Sequence, residues 1–232
     1  MSYTIYKNEK IRTPVRGVLF DMDGVVLDTE TMYARFWREA AAALGYEMSY
    51  EQALGMRSLS KTAGQAQLER YFGPGVSRPQ MRDKRVELMD AYIDEHGVDL
   101  KPGIRELLDC LDRNGIKRAI TTSSPLERVR RYMRPYGLLE RFDRLCSGAD
   151  VAHGKPEPDI YLHGAECLGL RPEECIAIEA SPAGVLSAYR AGCMTVMVPD
   201  LDQPDGKTEK LLFAKADSLT DVTELLEMVQ NL

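Results

Sequence analysis

The sequence predicts an α/β protein: a parallel sheet covered by helices on both faces, interrupted by an inserted block of helices. Three observations carry this. The short apolar run Val18-Leu19-Phe20 ends abruptly in Asp21-Met22-Asp23-Gly24. From Lys101 onward, short apolar runs alternate with stretches of helical periodicity, the texture of parallel βαβ units. Between Glu30 and Asp99 the pattern is helical throughout, with no convincing strand.

The apolar run before Asp21 is the first strand. After Thr29 the pattern turns helical: Met32, Phe36, Ala40 and Ala43 recur at helical spacing, with Trp37, Ala41 and Leu44 alongside and Gly45 as a stop. A second helix is expected from about Leu59 to Phe72, ended by Gly73-Pro74-Gly75. A third is expected from about Pro79 to Glu95, with Ser77 as its cap and Gly97 after it. This block reads as a separate small helical domain. Pro102-Gly103 then opens a helix with Ile104, Leu107, Leu108 and Leu111 on one face, stopped by Asn114-Gly115. Lys117 to Thr122 is a strand, Pro125 to Tyr136 a basic helix and Phe142 to Ser147 a weak strand. Next come a helix over Pro158 to Leu168, a strand over Cys175 to Ile178 and a helix over Pro182 to Ala191. A strand over Thr195 to Val198 and an amphipathic terminal helix over Leu219 to Leu232 complete the chain. The expected division is residues 1–28 with 100–232 for the α/β domain and 29–99 for the helical domain.

With 232 residues the chain can bury a substantial core. Its hydrophobic fraction of 44% and charged fraction of 28% are ordinary globular values. A net charge of −6 argues against a nucleic-acid partner, which calls for a basic patch. No apolar run approaches the ~18 residues of a membrane helix, and the N-terminus carries no apolar signal segment. The five cysteines are dispersed, without a C-x-x-C pair or zinc spacing. They predict reduced, mostly structural thiols in a cytoplasmic protein.

In an open α/β sheet the loops at the carboxyl ends of the strands meet at one edge, where ligands bind. Asp21 and Asp23 follow the first strand, Thr121-Thr122-Ser123-Ser124 the second, and Glu179 and Ser181 follow Ile176-Ala177-Ile178. His153-Gly154-Lys155-Pro156-Glu157-Pro158 lies in a loop entering a helix. Each has an ordinary reading: D-x-D-G occurs in solvated acidic turns, the Thr-Ser cluster before Pro125 in helix caps, a lone lysine on surfaces. Calcium loops also carry D-x-D-G, but they follow a helix and need further ligands, whereas this segment follows an apolar strand. Two carboxylates at one loop repel unless a cation or proton lies between them, and Mg²⁺ is the natural third party. Together the groups suit phosphoryl transfer: a nucleophilic carboxylate, Mg²⁺ to offset charge, and lysine and hydroxyls on the phosphate oxygens.

These residues resemble the motifs of the haloacid dehalogenase-like hydrolase superfamily. The branch is that of sugar-phosphate phosphatases and β-phosphoglucomutase-like proteins with a helical cap. D-M-D-G-V-V-L-D-T from Asp21 and G-K-P-E-P-D-I-Y from Gly154 are its most specific strings, and all four family motifs can be laid on the chain. The resemblance implies a Rossmann-like core with an inserted α-helical cap that closes over small substrates. It implies Asp21 as the nucleophile that becomes an aspartyl-phosphate, and Asp23 as the general acid/base. Thr122 and the Ser123 amide would bind the phosphoryl group, and Lys155 would neutralise it. Gly24, Ser123 and Arg57 are the substrate-binding candidates, Arg57 because Leu54-Gly55-Met56-Arg57 resembles the cap's substrate-facing loop, with Lys61 a weaker one. Asp21, Asp23 and Glu179 are the expected Mg²⁺ ligands. Asp23 excludes a dehalogenase, which lacks this second Asp.

Two departures stand out. The fourth motif of this branch usually reads E-D-S-P-x-G, where this chain has Glu179-Ala180-Ser181-Pro182-Ala183-Gly184; the missing Asp would be a direct Mg²⁺ ligand. Tyr33 stands where the glucomutases carry a His just past the first motif. The expectation is therefore a Mg²⁺-dependent phosphatase acting on a small phosphorylated metabolite, a sugar phosphate, as a monomer with a dimer left open. The alternatives are a β-phosphoglucomutase-like phosphomutase, which Tyr33 argues against, and a degenerate phosphometabolite-binding member, which only Ala180 supports.

Overall fold

The computed structural model describes residues 3–6, 14–57, 59 and 61–230. The chain divides into two compact units, Met1–Asp28 with Asp99–Leu232, and Thr29–Val98. The first unit opens with β1 (Tyr3–Ile5) and β2 (Gly17–Phe20). The second consists of α1 (Glu30–Ala43), α2 (Tyr50–Leu54), α3 (Lys61–Phe72) and α4 (Arg78–His96). The chain then returns to the first unit through α5 (Ile104–Arg113), β3 (Lys117–Thr122), α6 (Leu126–Met133) and β4 (Arg144–Ser147). It continues with α7 (Asp159–Leu168), β5 (Cys175–Glu179), α8 (Pro182–Ala191) and β6 (Met194–Met197), and ends with α9 (Gly206–Glu209), β7 (Ala214–Ala216) and α10 (Leu219–Gln230).

The sheet has the order β1-β7-β6-β5-β2-β3-β4. Every neighbouring pair is parallel except β1 on β7. β2 is central, pairing Phe20 with Ile120 of β3 on one side and with Ile178 of β5 on the other. All of its residues are buried, as a strand covered on both faces requires. Leu19 joins Ala119, Cys146 and Ala177 in a cluster with Ile160, Tyr161, Ala165 and Leu168 of α7 and Ala188 of α8. On the opposite face Phe20 meets Phe142 edge-on, ring centroids 5.5 Å apart. α10 packs on α5.

The helical unit has its own core, in which Ala34, Trp37, Ala40 and Ala41 of α1 join Ala53, Leu68 and Met81. α4 packs along α1, with Tyr92 of α4 against Phe36 of α1, ring centroids 5.5 Å apart. The buried Arg85 guanidinium sits 4.4 Å from the Tyr33 ring centroid and 5.3 Å from that of Trp37.

Several elements differ from the sequence expectation for local reasons. β1 and β7 are three residues long, too short to display a period of two. α2 has five residues and no periodicity, although its capping box of Ser49 and Gln52 is a readable start signal. The predicted helix over Pro125 to Tyr136 ends as α-helix at Met133 and finishes as a 3₁₀ turn over Arg134–Tyr136, because Pro135 has no N–H to continue the ladder. The last strand of the βαβ series is Met194–Met197 rather than Thr195 to Val198. Of the expected terminal helix, residues 231–232 lie outside the described residues, as does Ser60 in the expected second helix. Among the described residues no helix is long and apolar enough to cross a membrane.

Candidate active site

The α/β unit gathers its polar groups where β2, β3 and β5 end. Asp21 extends β2 by one rung, its N–H donating to the Ile178 carbonyl at 3.0 Å. The chain then doubles back: the N–H groups of Val26 and Leu27 donate to the Met22 carbonyl at 2.9 and 3.0 Å, and the Gly24 N–H to the Leu27 carbonyl at 2.9 Å. Gly24 has φ of 78°, so the turn that presents both aspartates uses a backbone conformation that side-chain-bearing residues resist.

The centre is an ion-paired triad. Lys155 Nζ lies 2.9 Å from Asp21 Oδ1 and 2.6 Å from Glu179 Oε1, with its side chain 9% exposed. Burial pushes the Asp21 carboxyl up to about 8, with the Glu179 and Asp23 charges adding and Lys155 opposing. Burial works against the Lys155 ammonium, but the Asp21 and Glu179 carboxylates raise it above its ordinary value, so it stays charged. Asp23 Oδ2 accepts a hydrogen bond from Ser124 Oγ at 3.0 Å. Raised this far, the Asp21 carboxyl resists ionising beside Glu179 and Asp23, and a phosphate would add further negative charge. A cation beside Asp21 and Asp23 would relieve it.

Glu179 is fully buried, and both of its oxygens are engaged. Oε1 accepts from Lys155 and from the Tyr161 hydroxyl. Oε2 accepts from the Ala180 N–H at 3.2 Å and from Ser181 Oγ at 3.3 Å. Burial and the neighbouring carboxylates raise the Tyr161 phenol well above its usual value, keeping it a neutral donor. Gly184 makes room: a Cβ there would fall 1.9 Å from Glu179 Cδ. Physically, then, the E-x-S-P-x-G string is a carboxylate pocket at the start of α8. Glu179, the third expected Mg²⁺ ligand, thus meets Lys155, Tyr161 and the Ser181 turn through its two oxygens. The Ala180 side chain offers no donor atom, and Asp21 and Asp23 are the other acidic residues at this edge. Mg²⁺ is commonly held by one or two carboxylates with water and substrate phosphate completing the shell, and this donor set fits that pattern.

Thr122 is buried at the end of β3, and its Oγ1 accepts the Ser124 N–H at 3.0 Å. That leaves its hydroxyl hydrogen to donate. Ser123 is exposed, and Gly148 lets the chain pass close to it: a Cβ at 148 would lie 3.2 Å from Ser123 Cα. Ser147 Oγ donates to the Ser124 carbonyl at 2.9 Å and fixes this loop. The loop carrying Lys155 is tied to α8, where Ser187 Oγ donates to the Glu157 carbonyl at 2.5 Å and Arg190 pairs with the Glu157 carboxylate at 2.9 Å.

Asp21, Asp23, Lys155 and Glu179 are thus connected by direct contacts or mutual charge, and Thr122 joins them through Ser124. Arg57 and Lys61 belong to the other unit; Arg57 Nε donates to the Leu54 carbonyl at 3.3 Å, and Lys61 is exposed at the start of α3. Sequence reasoning missed the roles of Ser124 and Tyr161. Ser124 carried a faint signal as the last hydroxyl of the Thr-Thr-Ser-Ser run, and Tyr161 as the last residue of the G-K-P-E-P-D-I-Y string.

An α/β sheet with a carboxylate pair, a buried lysine and a hydroxyl loop at one edge defines a hydrolase-type site. The comparisons with known proteins agree. A family model described as haloacid dehalogenase-like hydrolase matches residues 15–192. The chain belongs to the haloacid dehalogenase-like hydrolase family. It is 35% identical over 191 residues to hexitol phosphatase A of Escherichia coli, covering 79% of this chain and 82% of that protein. It is 30% identical over 217 residues to the phosphorylated carbohydrates phosphatase of Thermotoga maritima, covering 94% and 99%. Among solved structures it resembles CbbY from Rhodobacter sphaeroides in complex with phosphate, with a TM-score of 0.75, 27% identity, and coverage of 90% of this chain and 96% of that one.

Proposed function

We propose that this chain is a Mg²⁺-dependent phosphatase that hydrolyses a small phosphorylated metabolite, a sugar phosphate, through an aspartyl-phosphate on Asp21. The observation that carries the reading is the buried Asp21–Lys155 pair at 2.9 Å, set beside Asp23 at the carboxyl edge of the sheet. The phosphatases of E. coli and T. maritima among the relatives, named for hexitols and phosphorylated carbohydrates, support the sugar-phosphate class.

A carboxylate oxygen of Asp21 attacks phosphorus, and the bond from phosphorus to the sugar oxygen breaks. Protonated Asp23 gives its proton to that leaving oxygen and becomes the base that takes one from water. The water oxygen then displaces Asp21 from phosphorus, releasing inorganic phosphate. Ser124, donating to Asp23 Oδ2, holds that carboxyl in one orientation. Lys155 offsets charge on the phosphoryl oxygens while Glu179 keeps the ammonium in place. Thr122 and the Ser123 amide are assigned to the phosphoryl oxygens, and Gly24 to the turn that leaves room for them. Bound Mg²⁺ would supply charge compensation for Asp21 and the phosphoryl group, held by the Asp21 carboxylate and the Asp23 backbone carbonyl, so that the Asp23 carboxyl stays available for proton transfer. Water would take the place of the Asp that Ala180 lacks. Substrate selection is assigned to the helical unit, with Arg57 as the contact to the distal part of the sugar. Free cysteines at positions 110, 146, 167, 175 and 193 suit a reducing cytoplasm.

The test is a phosphate-release screen of sugar and nucleotide monophosphates and an aryl phosphate, with and without Mg²⁺, on the wild type and Asp21→Asn. The amide keeps the shape but is no nucleophile, so turnover should fall by roughly 10⁴-fold or more. Undiminished phosphate release from Asp21→Asn would refute the mechanism.

A further inference from the structure

We infer that Cys146, His163 and Cys167 form a binding site for a thiophilic divalent cation, for which Zn²⁺ is the fitting ion, on the face of the sheet covered by α7. This site is separate from the carboxylate edge and does not depend on the reading of that edge. One ligand atom from each of the three residues lies within 4.8 Å of the others. His163 and Cys167 are one helical turn apart on α7, so they share a face. Cys167 Sγ lies 3.6 Å from His163 Nε2 and 3.9 Å from Nδ1. Tetrahedral Zn²⁺, with bonds of about 2.3 Å to sulfur and about 2.0 Å to nitrogen, holds such donors roughly 3.5 Å apart. The pair on α7 is already at that spacing.

The third ligand comes from the sheet. Cys146 is buried near the end of β4, and α7 packs on β3 and β4. Gly164, next to His163, permits the close approach: a Cβ there would lie 2.5 Å from Thr121 Cγ2. Two sulfurs and an imidazole form a soft donor set that selects Zn²⁺ or Cu(I) over Mg²⁺. Three protein ligands leave the fourth position to water, and the half-buried His163 and Cys167 give that position a path to solvent. The sequence concealed the set because its members are spread over β4 and α7 without zinc-finger spacing.

The reduced full-length chain would be titrated with Co²⁺, a spectroscopic stand-in for Zn²⁺. A thiolate-to-cobalt charge-transfer band should rise to saturation at a single equivalent and disappear when Zn²⁺ is added. His163→Ala and Cys167→Ala, at half-buried positions, should each abolish the band. Asp21→Asn should retain it, separating this site from the carboxylate edge. As a second readout, Zn²⁺ should slow alkylation of Cys167 by iodoacetamide in the wild type. Absence of a thiolate band, its survival in Cys167→Ala, or alkylation unaffected by Zn²⁺ would each overturn the proposal.

Discussion

The α/β unit and the helical unit give their charged residues different surroundings. At the sheet edge each ionic group has a short buried partner: Lys155 sits between Asp21 and Glu179, and Glu179 between Tyr161 and the Ser181 turn. In the helical unit, the buried cation Arg85 lies against the aromatic rings of Tyr33 and Trp37, while Arg57 turns to its own loop carbonyl. Groups that must be preorganised for a charged transition state need fixed dipoles and dry surroundings. Groups that select among substrates can rely on shape and a few contacts. The contrast predicts that substitutions in the first unit strike turnover on every substrate, and that those in the second strike discrimination.

The largest test of that contrast, after the nucleophile itself, is Glu179→Gln. The amide retains the volume but removes the charge that holds Lys155 and leaves the Tyr161 donor a weaker acceptor. We expect kcat to fall about 10²-fold with KM for any phosphate little changed. A loss confined to thermal stability, with kcat intact, would reduce Glu179 to a folding element. Ser124→Ala is the next step down. It deletes one hydrogen bond to a carboxyl, and about tenfold in kcat is expected. The profile of kcat against leaving-group basicity should also steepen, because the acid that protonates the leaving oxygen is no longer held in one orientation. A purely structural serine would leave that profile in place.

How far these residues could be read from the sequence depends on whether their role is local. Asp21, Asp23, Lys155 and Glu179 announce themselves because each sits beside a strand end or in a rigid string whose glycines and prolines shape the backbone. Gly184 is an example: it stands in the motif because Glu179 fills the space its Cβ would occupy. What could not be read is direction. Nothing in E-A-S-P reveals that Glu179 also meets the Tyr161 hydroxyl, because that contact joins the end of β5 to α7 across the fold. The same limit hid Cys146, which meets His163 and Cys167 only after β4 and α7 pack. β1 and β7 were missed for lack of length, whereas β3 and α8 match their sequence expectation because clear breakers bound them.

Ala180 sharpens the comparison inside the first unit. If water completes the cation shell, Ala180→Asp restores a carboxylate and should lower the Mg²⁺ concentration for half-maximal activity several-fold, as an added oxygen ligand does. The Ala180 N–H already donates to Glu179 Oε2, so the new side chain starts from a backbone that is held in place. Identical half-saturation points in a Mg²⁺ titration of both proteins would show that Ala180 is no deficit.

The smallest expected effect belongs to the helical unit, and it is the one that can break the comparison. Arg57→Ala should raise KM for the preferred sugar phosphate by about three- to tenfold, the loss of one exposed or half-exposed charged hydrogen bond, while sparing a small aryl phosphate. Binding energy from the non-reacting part of a substrate acts only where that part exists. Arg57 is half-buried and its Nε donates to a carbonyl of its own loop at 3.3 Å, so a thermal midpoint measured beside KM separates lost recognition from a loosened loop. Equal losses on both substrates would mean that Arg57 serves phosphate chemistry or the loop itself, and the division between a catalytic sheet edge and a selecting helical unit would fail. A change confined to the sugar phosphate, with kcat on the aryl phosphate untouched, would place discrimination in residues 29–98 and leave the reaction to the triad of Asp21, Lys155 and Glu179.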